Sequence, residues 1–410
     1  MKKRSRLLAA LLSLAVVAGM AGCAKQESGA GGKSEAQGST ATGTTEKQGE
    51  APGNTFSGKL YIGSIDPMTG GAASYGQEKI QGETLAVEEI NAAGGILGME
   101  VVLVSEDSAS QAAQAATVAT KLITQNKVVA IQGAQTSSET MAILDVLAEY
   151  GVPAVCPATS PKIGASGNAF INRCSPDDGL QVEALIKYAA ESLKVNKVGL
   201  LYSNDDYGKG GYDSAVACAD KYGVELISDS FMGDDQNFSA QLTKIKDAGC
   251  ETILMWCQPT PASLIMKQAN DMGWTPQYLC APGVNDPRLF ELSNGLCDGA
   301  ILSTSFYADN PDEYVADWVK RYRERWNMEP SLTASLGYDG MMIIFKGIEA
   351  AGTAEPKAIA EGIRTLKEFQ TLKGTASVDA ATGNLHSPVY LVTANNDSRT
   401  YDYYDTVKID

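Results

Sequence analysis

A single histidine, His386, is what this 410-residue chain has least of, and the scarcity excludes a good deal. One imidazole leaves no strong candidate for Ser-His-Asp or Cys-His catalysis, for a His-rich zinc site or for an H-E-x-x-H helix. His386 itself stands among Gly, Asn, Ser and Pro and reads as a surface loop residue. G-x-G-x-x-G, the P-loop and G-x-S-x-G are missing too. Positive charge is also in short supply. Lys and Arg number 33 against 49 Asp and Glu, a net charge of −16. Nucleic acid is excluded as a partner, because binding phosphates takes clustered Lys and Arg. The acidic surface reads as solubilising. Past the N-terminus no apolar run approaches the roughly 20 residues that span a bilayer; Met341 to Phe345 is far too short.

The N-terminus carries the clearest local signal. Lys2, Lys3, Arg4 and Arg6 precede a short apolar run from Leu7, which ends on Met20-Ala21-Gly22-Cys23. A basic start, an apolar stretch and small residues before a cleavage point read as a secretory signal. The terminal cysteine looks like a bacterial lipobox: residues 1–22 are removed and Cys23 carries lipid. Residues 23–57 then form a tether, rich in Gly, Ser, Thr and Glu and poor in bulky apolar residues. Such a chain cannot fold and has an r.m.s. span of roughly 30 Å. The protein is thus expected outside the cytoplasm, held to the membrane through lipid alone.

Seven cysteines remain: Cys156, Cys174, Cys218, Cys250, Cys257, Cys280 and Cys297. The number is odd, C-x-x-C is absent, and most lie inside apolar strands. They read as buried free thiols, with one or two disulfides left open, and not as a metal site.

From Lys59 short β-branched runs alternate with helical patterns. Strands are expected at LYIGSI, MEVVLVSED, VVAIQG and VPAVCP. The intervening helices are Gly76–Ala93, Gln111–Gln125 and Ser137–Tyr150. The rhythm restarts with helix Gln181–Leu193 and strand KVGLLYS, then helix Gly211–Tyr222, strand VELISDS and helix Ser239–Ala248. Strand ETILMWC, helix Ala262–Met272 and strand QYLCAP complete that half, and ILSTSFY follows. Helices Pro311–Trp326, Ser331–Ala351 and Lys357–Phe369 come next, then strands GTASVDA, PVYLVTA and TYDYYDTV. This βαβ series implies an α/β fold with parallel sheets flanked by helices, in two lobes.

In open parallel sheets ligands sit beyond the carboxyl ends of the strands. Five loops therefore qualify. Gly133–Glu139 comes first: Thr136 and Glu139 fit a capping box, and Ser137 and Ser138 offer hydroxyls and amides at a positive helix end, a receptor for carboxylate or phosphate. Pro157–Pro161 offers more hydroxyls on a proline-fixed backbone. Ser203–Gly208 brings Tyr207 and two carboxylates, or is only a turn. Cys257–Thr260 and Ala281–Asp286 complete the set.

The stretch GSIDPMTGGAASYGQEKIQGETLAVEEINAAGGILG, from Gly63 to Gly98, resembles the opening of the leucine/isoleucine/valine-binding protein family. These are the branched-chain amino acid receptors of ABC importers. The likeness continues through GAQTSSET, VPAVCPATSP, LLYSNDDYGKGG, NFSAQLTKIKDAG, MKQANDMGW and SLGYDG, over nearly all of Lys59 to Asp410. It implies a type I periplasmic-binding-protein fold, two lobes joined by a three-strand hinge. Lobe 1 is expected at 58–176 plus 306–374, and lobe 2 at 177–305 plus 375–410.

The resemblance further implies that Ser137, the Ala158 backbone and Ser160 hold a ligand carboxylate, with Tyr75 and Tyr207 covering the ligand. Three positions depart from the family. Gln258 stands where leucine receptors place a tyrosine, Pro282 where they place the acid for the α-ammonium, and Thr136 where a disulfide cysteine is usual. Asp286, or Asp206, is left to replace that acid. A non-amino carboxylate or an amide is therefore also open as ligand. The expected partners are a small-molecule ligand and ABC permease subunits, with no cofactor and no metal. A sensory receptor of the same fold and an extracytoplasmic enzyme are the other readings.

Overall fold

The computed structural model describes residues 56–407. Cys23, the basic leader and the tether as far as residue 55 lie outside the described residues. The first sheet comes from the N-terminal part of the described chain, Lys59 to Arg173. Its strands are β1 (Lys59–Asp66), β2 (Glu100–Asp107), β3 (Ala130–Gln132), β4 (Ala154–Cys156) and β5 (Ile171–Arg173), in the order β2-β1-β3-β4-β5. Every neighbouring pair is parallel, and β1 runs in register with β2 from Lys59↔Glu100 to Asp66↔Asp107. Helices α1 (Ala73–Ala92), α2 (Ala112–Thr124), α3 (Ser137–Tyr150) and the short α4 (Pro161–Ala165) make the crossovers.

The second sheet begins after α5 (Asp178–Glu191). It takes β6 (Lys197–Ser203), β7 (Glu225–Phe231), β8 (Thr252–Trp256), β9 (Gln277–Cys280) and β10 (Ile301–Thr304), all parallel. Helices α6 (Asp206–Ala219), α7 (Ser239–Asp247), α8 (Pro259–Asp271) and α9 (Leu289–Leu292) connect them. The chain then returns to the first sheet, where α10 (Glu313–Trp326), α11 (Leu332–Ala351) and α12 (Pro356–Arg364) cover one face. Strands β11 (Phe369–Thr371), β12 (Gly374–Val378) and β13 (Leu385–His386) form a small sheet. Finally β14 (Val389–Asn395) and β15 (Thr400–Val407) add antiparallel strands to the second sheet, whose order is β15-β14-β10-β9-β8-β6-β7.

The two-lobed α/β organisation is thus present, and the chain passes between lobes after Arg173, after Thr304 and after His386. The last passage corrects the expected break after residue 374. β12 pairs with β11, and its alternate side chains Ala376 and Val378, with Leu385, pack in the same core as Trp318 and Phe345. Residues 375–385 therefore belong with the first lobe. The helix expected to reach Phe369 stops at Arg364, because Phe369 pairs with Ala376 as strand. α6 starts at Asp206, five residues before its apolar spacing begins, because the Asp205 carboxylate caps it by accepting from Gly208 N at 2.8 Å.

Two features lock the first lobe. α1 and α11 approach so closely that a β-carbon on Gly82 would stand 2.0 Å from the Ala334 carbonyl, and one on Gly337 2.2 Å from that of Lys79. Beside this contact Lys79 is wholly buried, pairing with Asp66 at 2.9 Å and Glu83 at 3.2 Å and donating to Gln132 of β3. One ammonium serves two buried carboxylates. Burial, with Asp66 adding to it, pushes Glu83 up to about 8. The seven cysteines of the described residues are all free thiols, six of them buried. No described helix is long and apolar enough to cross a membrane.

Candidate functional site

The five loops identified from the strand ends converge on one cleft of about 540 Å³, counting its open mouth. Lobe 1 supplies Ser137 from α3 and its N-cap Thr136, Ala158 and Thr159 from the loop after β4, and Tyr75 from α1. Lobe 2 supplies Tyr207, Gln258, Pro282 and Gly283. Among the described residues, no charged side chain lines it.

At the start of α3 the three hydroxyls are put to three uses. Thr136 closes the capping box: its Oγ1 accepts from Glu139 N at 3.3 Å, and the Glu139 carboxylate accepts from Thr136 N at 3.0 Å. Ser137 Oγ accepts from Ser160 N at 3.2 Å, tying the helix to the next loop. Ser138 Oγ reaches across the cleft and accepts from Asp206 N at 3.3 Å. The first-turn amides of Ser137 and Ser138 have no carbonyl partner within the helix and face a region of positive helix-end potential.

Each carbonyl of the loop after β4 is held from behind. Pro157 accepts from Ser175 Oγ at 2.8 Å, Ala158 from Arg173 Nη1 at 3.0 Å, Thr159 from Asp178 N at 2.9 Å and Ser160 from Arg173 Nη2 at 2.5 Å. With its carbonyls turned away, the loop shows the cleft its side chains and amides. Arg173, 1 % exposed, organises this. Sequence reasoning missed it, although a lone arginine in the apolar run AFINRC was a signal. Ser160 lies deeper than expected: its Oγ is fully buried, has no hydrogen-bond partner, and does not form part of the cleft lining.

Two tyrosines meet over Gly283. Tyr75 Oη donates to the Gly283 carbonyl at 2.5 Å, and Gly283 N donates to Tyr207 Oη at 3.0 Å. A β-carbon on Gly283 would stand 2.8 Å from Tyr207 Oη, so this approach requires glycine. Burial raises both phenols well above 10, and they remain neutral. Gln258 and Gln135 line the cleft with buried amide oxygens that lack partners. Gln135 was not anticipated from sequence, nor were Leu332, Thr333 and Leu336 of the α11 region, which give the cleft an aliphatic wall.

Asp286 does not stand in for the acid missing at Pro282. It is 1 % exposed, absent from the lining, and occupied by Arg288, whose Nε and Nη2 lie 3.0 and 2.5 Å from its carboxylate. Asp206 meets the cleft edge only through its amide. Three residues along α1 from Tyr75, Glu78 accepts from Ser331 Oγ at 2.6 Å. Burial, reinforced by Asp286, pushes it up to about 7.

A pair of α/β lobes closing on an uncharged, hydroxyl-rich cleft defines a class of ligand-capturing proteins. The sequence profile of the periplasmic binding proteins matches residues 59–399, and the chain belongs to that family. It is 30% identical over 335 residues to Leu/Ile/Val-binding protein homolog 3 of Brucella melitensis, covering 81% of this chain and 90% of that one. The fold superimposes on a leucine binding protein, LivK, of Thermotoga maritima with a TM-score of 0.80 and 29% identity, covering 85% of this chain and 99% of that one. It superimposes equally on LivJ of Streptococcus pneumoniae, a branched-chain amino acid transporter substrate binding protein solved with isoleucine. There the TM-score is 0.79 and the identity 30%, over 86% of this chain and 100% of that one. Family and neighbours alike are substrate-binding proteins.

Proposed function

We propose that this chain captures a branched-chain or related small aliphatic amino acid outside the cytoplasm and delivers it to the permease of an ABC importer. The observation that carries this reading is the build of the cleft. A helix N-terminus and a loop with all its carbonyls tied back supply donors for a carboxylate at one part of the lining. Leu332 and Leu336 supply an apolar surface at another. The names of LivK, LivJ and the Brucella homolog support the same substrate class.

In this reading Ser137, with the amides around Ala158 and Ser160, receives the carboxylate. Tyr75 and Tyr207 close over the ligand, and Gln258 completes the wall. Asp286 has no part, since Arg288 holds it. The protein turns nothing over. Cys23 bears the lipid that keeps the receptor at the membrane surface.

Trp256 reports on the cleft: it is fully buried, and its ring lies 6.0 Å from that of Tyr207. A tryptophan-fluorescence and thermal-shift screen of the purified chain against the common amino acids and small carboxylates tests the proposal. Stabilisation by leucine, isoleucine or valine is expected; a response confined to non-amino carboxylates contradicts the substrate assignment.

A further inference from the structure

Two amide side chains of the cleft have no local work to do. Gln135 stands one residue before the N-cap of α3, and Gln258 is itself the N-cap of α8. Short hydroxyl and carboxylate side chains cap helices well, and an apolar residue ahead of the cap can pack against the first turn. Glutamine suits neither use, and the Gln258 side chain makes no capping hydrogen bond. Both side chains line the cleft, one from each lobe, and the Oε1 of each is buried with no hydrogen-bond partner among the described residues. The hydroxyls beside them are already engaged: Thr136 Oγ1 accepts from Glu139 N and Ser137 Oγ from Ser160 N.

A buried acceptor left without a donor is costly, and the cost is greatest when a ligand fills the space and water cannot enter. A ligand side chain made only of hydrocarbon strands both amide oxygens. One that carries a hydroxyl brings a donor to them. Leu332 and Leu336 set the second requirement, because the same lining also offers an aliphatic wall. A short branched side chain with a methyl and a hydroxyl on one carbon meets both demands. A site built to hydrogen-bond a hydroxyl rejects the analogue that lacks it, whereas an apolar pocket discriminates far less against an added hydroxyl.

We infer that Gln135 and Gln258 select for a hydroxyl on the ligand side chain, so that threonine is held in preference to valine, its isostere. The inference rests on the proposed receptor function and narrows it: the two glutamines are specificity-determining residues, one on each lobe, that read the side chain and not the carboxylate. Their substitution therefore shifts the ratio of threonine to valine affinity. Loss of a carboxylate donor would instead weaken both ligands together and leave that ratio where it was.

The test is calorimetry on the purified, ligand-stripped chain with L-threonine, L-valine, L-leucine, L-isoleucine and L-asparagine. Wild type, which needs no variant to be informative, is expected to bind threonine at least about 10-fold more tightly than valine. Gln135→Met and Gln258→Met keep the length of the side chain and remove its amide; each is expected to lower that ratio, and the double variant to bring it to about one. Valine binding as tightly as threonine in the wild type overturns the inference while leaving a branched-chain receptor. A ratio that neither variant moves overturns the roles of Gln135 and Gln258. Asparagine binding more tightly than threonine overturns the hydroxyl in favour of a carboxamide. Silence toward all five amino acids overturns the receptor reading and this inference with it.

Discussion

Tyr75 and Gly283 stand 208 positions apart in sequence, yet the Tyr75 hydroxyl donates to the Gly283 carbonyl at 2.5 Å across the cleft. With the bond from Asp206 N to Ser138 Oγ, it fastens one lobe to the other around the binding volume. A ligand that favours the closed arrangement draws on these bonds, since closure is driven by differential affinity for the closed state.

Tyr75→Phe removes the bridging hydroxyl and keeps the ring. A neutral hydrogen bond contributes about 0.5–1.5 kcal/mol, so ligand affinity is expected to fall about 3- to 10-fold, mostly through faster dissociation. Stopped-flow release of a bound amino acid checks this. An unchanged dissociation rate would show that the bond does not hold the closed state.

Ser137→Ala combined with Ser160→Ala removes one hydroxyl of the cleft lining and the buried one behind it, at the end proposed to receive the carboxylate. Hydrogen bonds to charged groups are worth roughly 1.5–3 kcal/mol each, and a loss of at least about 100-fold is expected for the double variant. Ser160 N and the α3 amides remain, so some binding survives. Titration calorimetry measures it, and wild-type affinity would sink the assignment.

Arg173→Met tests the scaffold. The guanidinium holds the Ala158 and Ser160 carbonyls, and its loss strands both, at about 1–3 kcal/mol apiece. The variant is expected to melt several degrees lower and to bind more weakly, because the loop is no longer oriented. Thermal unfolding with and without ligand reads both effects.

The buried acids set a pH dependence. Glu83, raised from 4.5 to about 8, binds a proton more tightly folded than unfolded. Its protonated form is fully present below the unfolded value, and the stability it confers is lost as pH rises through about 8. Glu78 and Asp178, both raised to about 7, act in the same direction. The ligand-free protein is therefore expected to lose stability between pH 5 and pH 8, and Glu83→Gln to flatten that slope. Melting temperatures across this range decide it; a rising slope in the wild type would contradict the account.

Much of the site was legible because its signals are local. The Thr136–Glu139 capping box spans three residues, and the strand-to-helix loops follow from the βαβ rhythm, so the sequence located the first wall of the cleft. What escaped depends on distant pairing. Arg173 ends a three-residue strand with too little pattern to assign, and its acceptors lie back at Ala158 and Ser160. Asp178, the first residue of α5, sits in a turn-like Pro-Asp-Asp stretch, and nothing in the spacing shows that it is wholly buried. Asp286 misled for the opposite reason: Arg288, two residues on, had already taken its charge. β12 was assigned to the wrong lobe because alternation identifies a strand but not the core it faces.

The measurement that bears most directly on the central claim is a calorimetric titration of the ligand-stripped wild-type chain with L-leucine, L-isoleucine and L-valine. The account predicts one site per chain with micromolar or tighter affinity for at least one of them. No heat with any of the three, from protein that melts cooperatively, would contradict a branched-chain amino acid receptor.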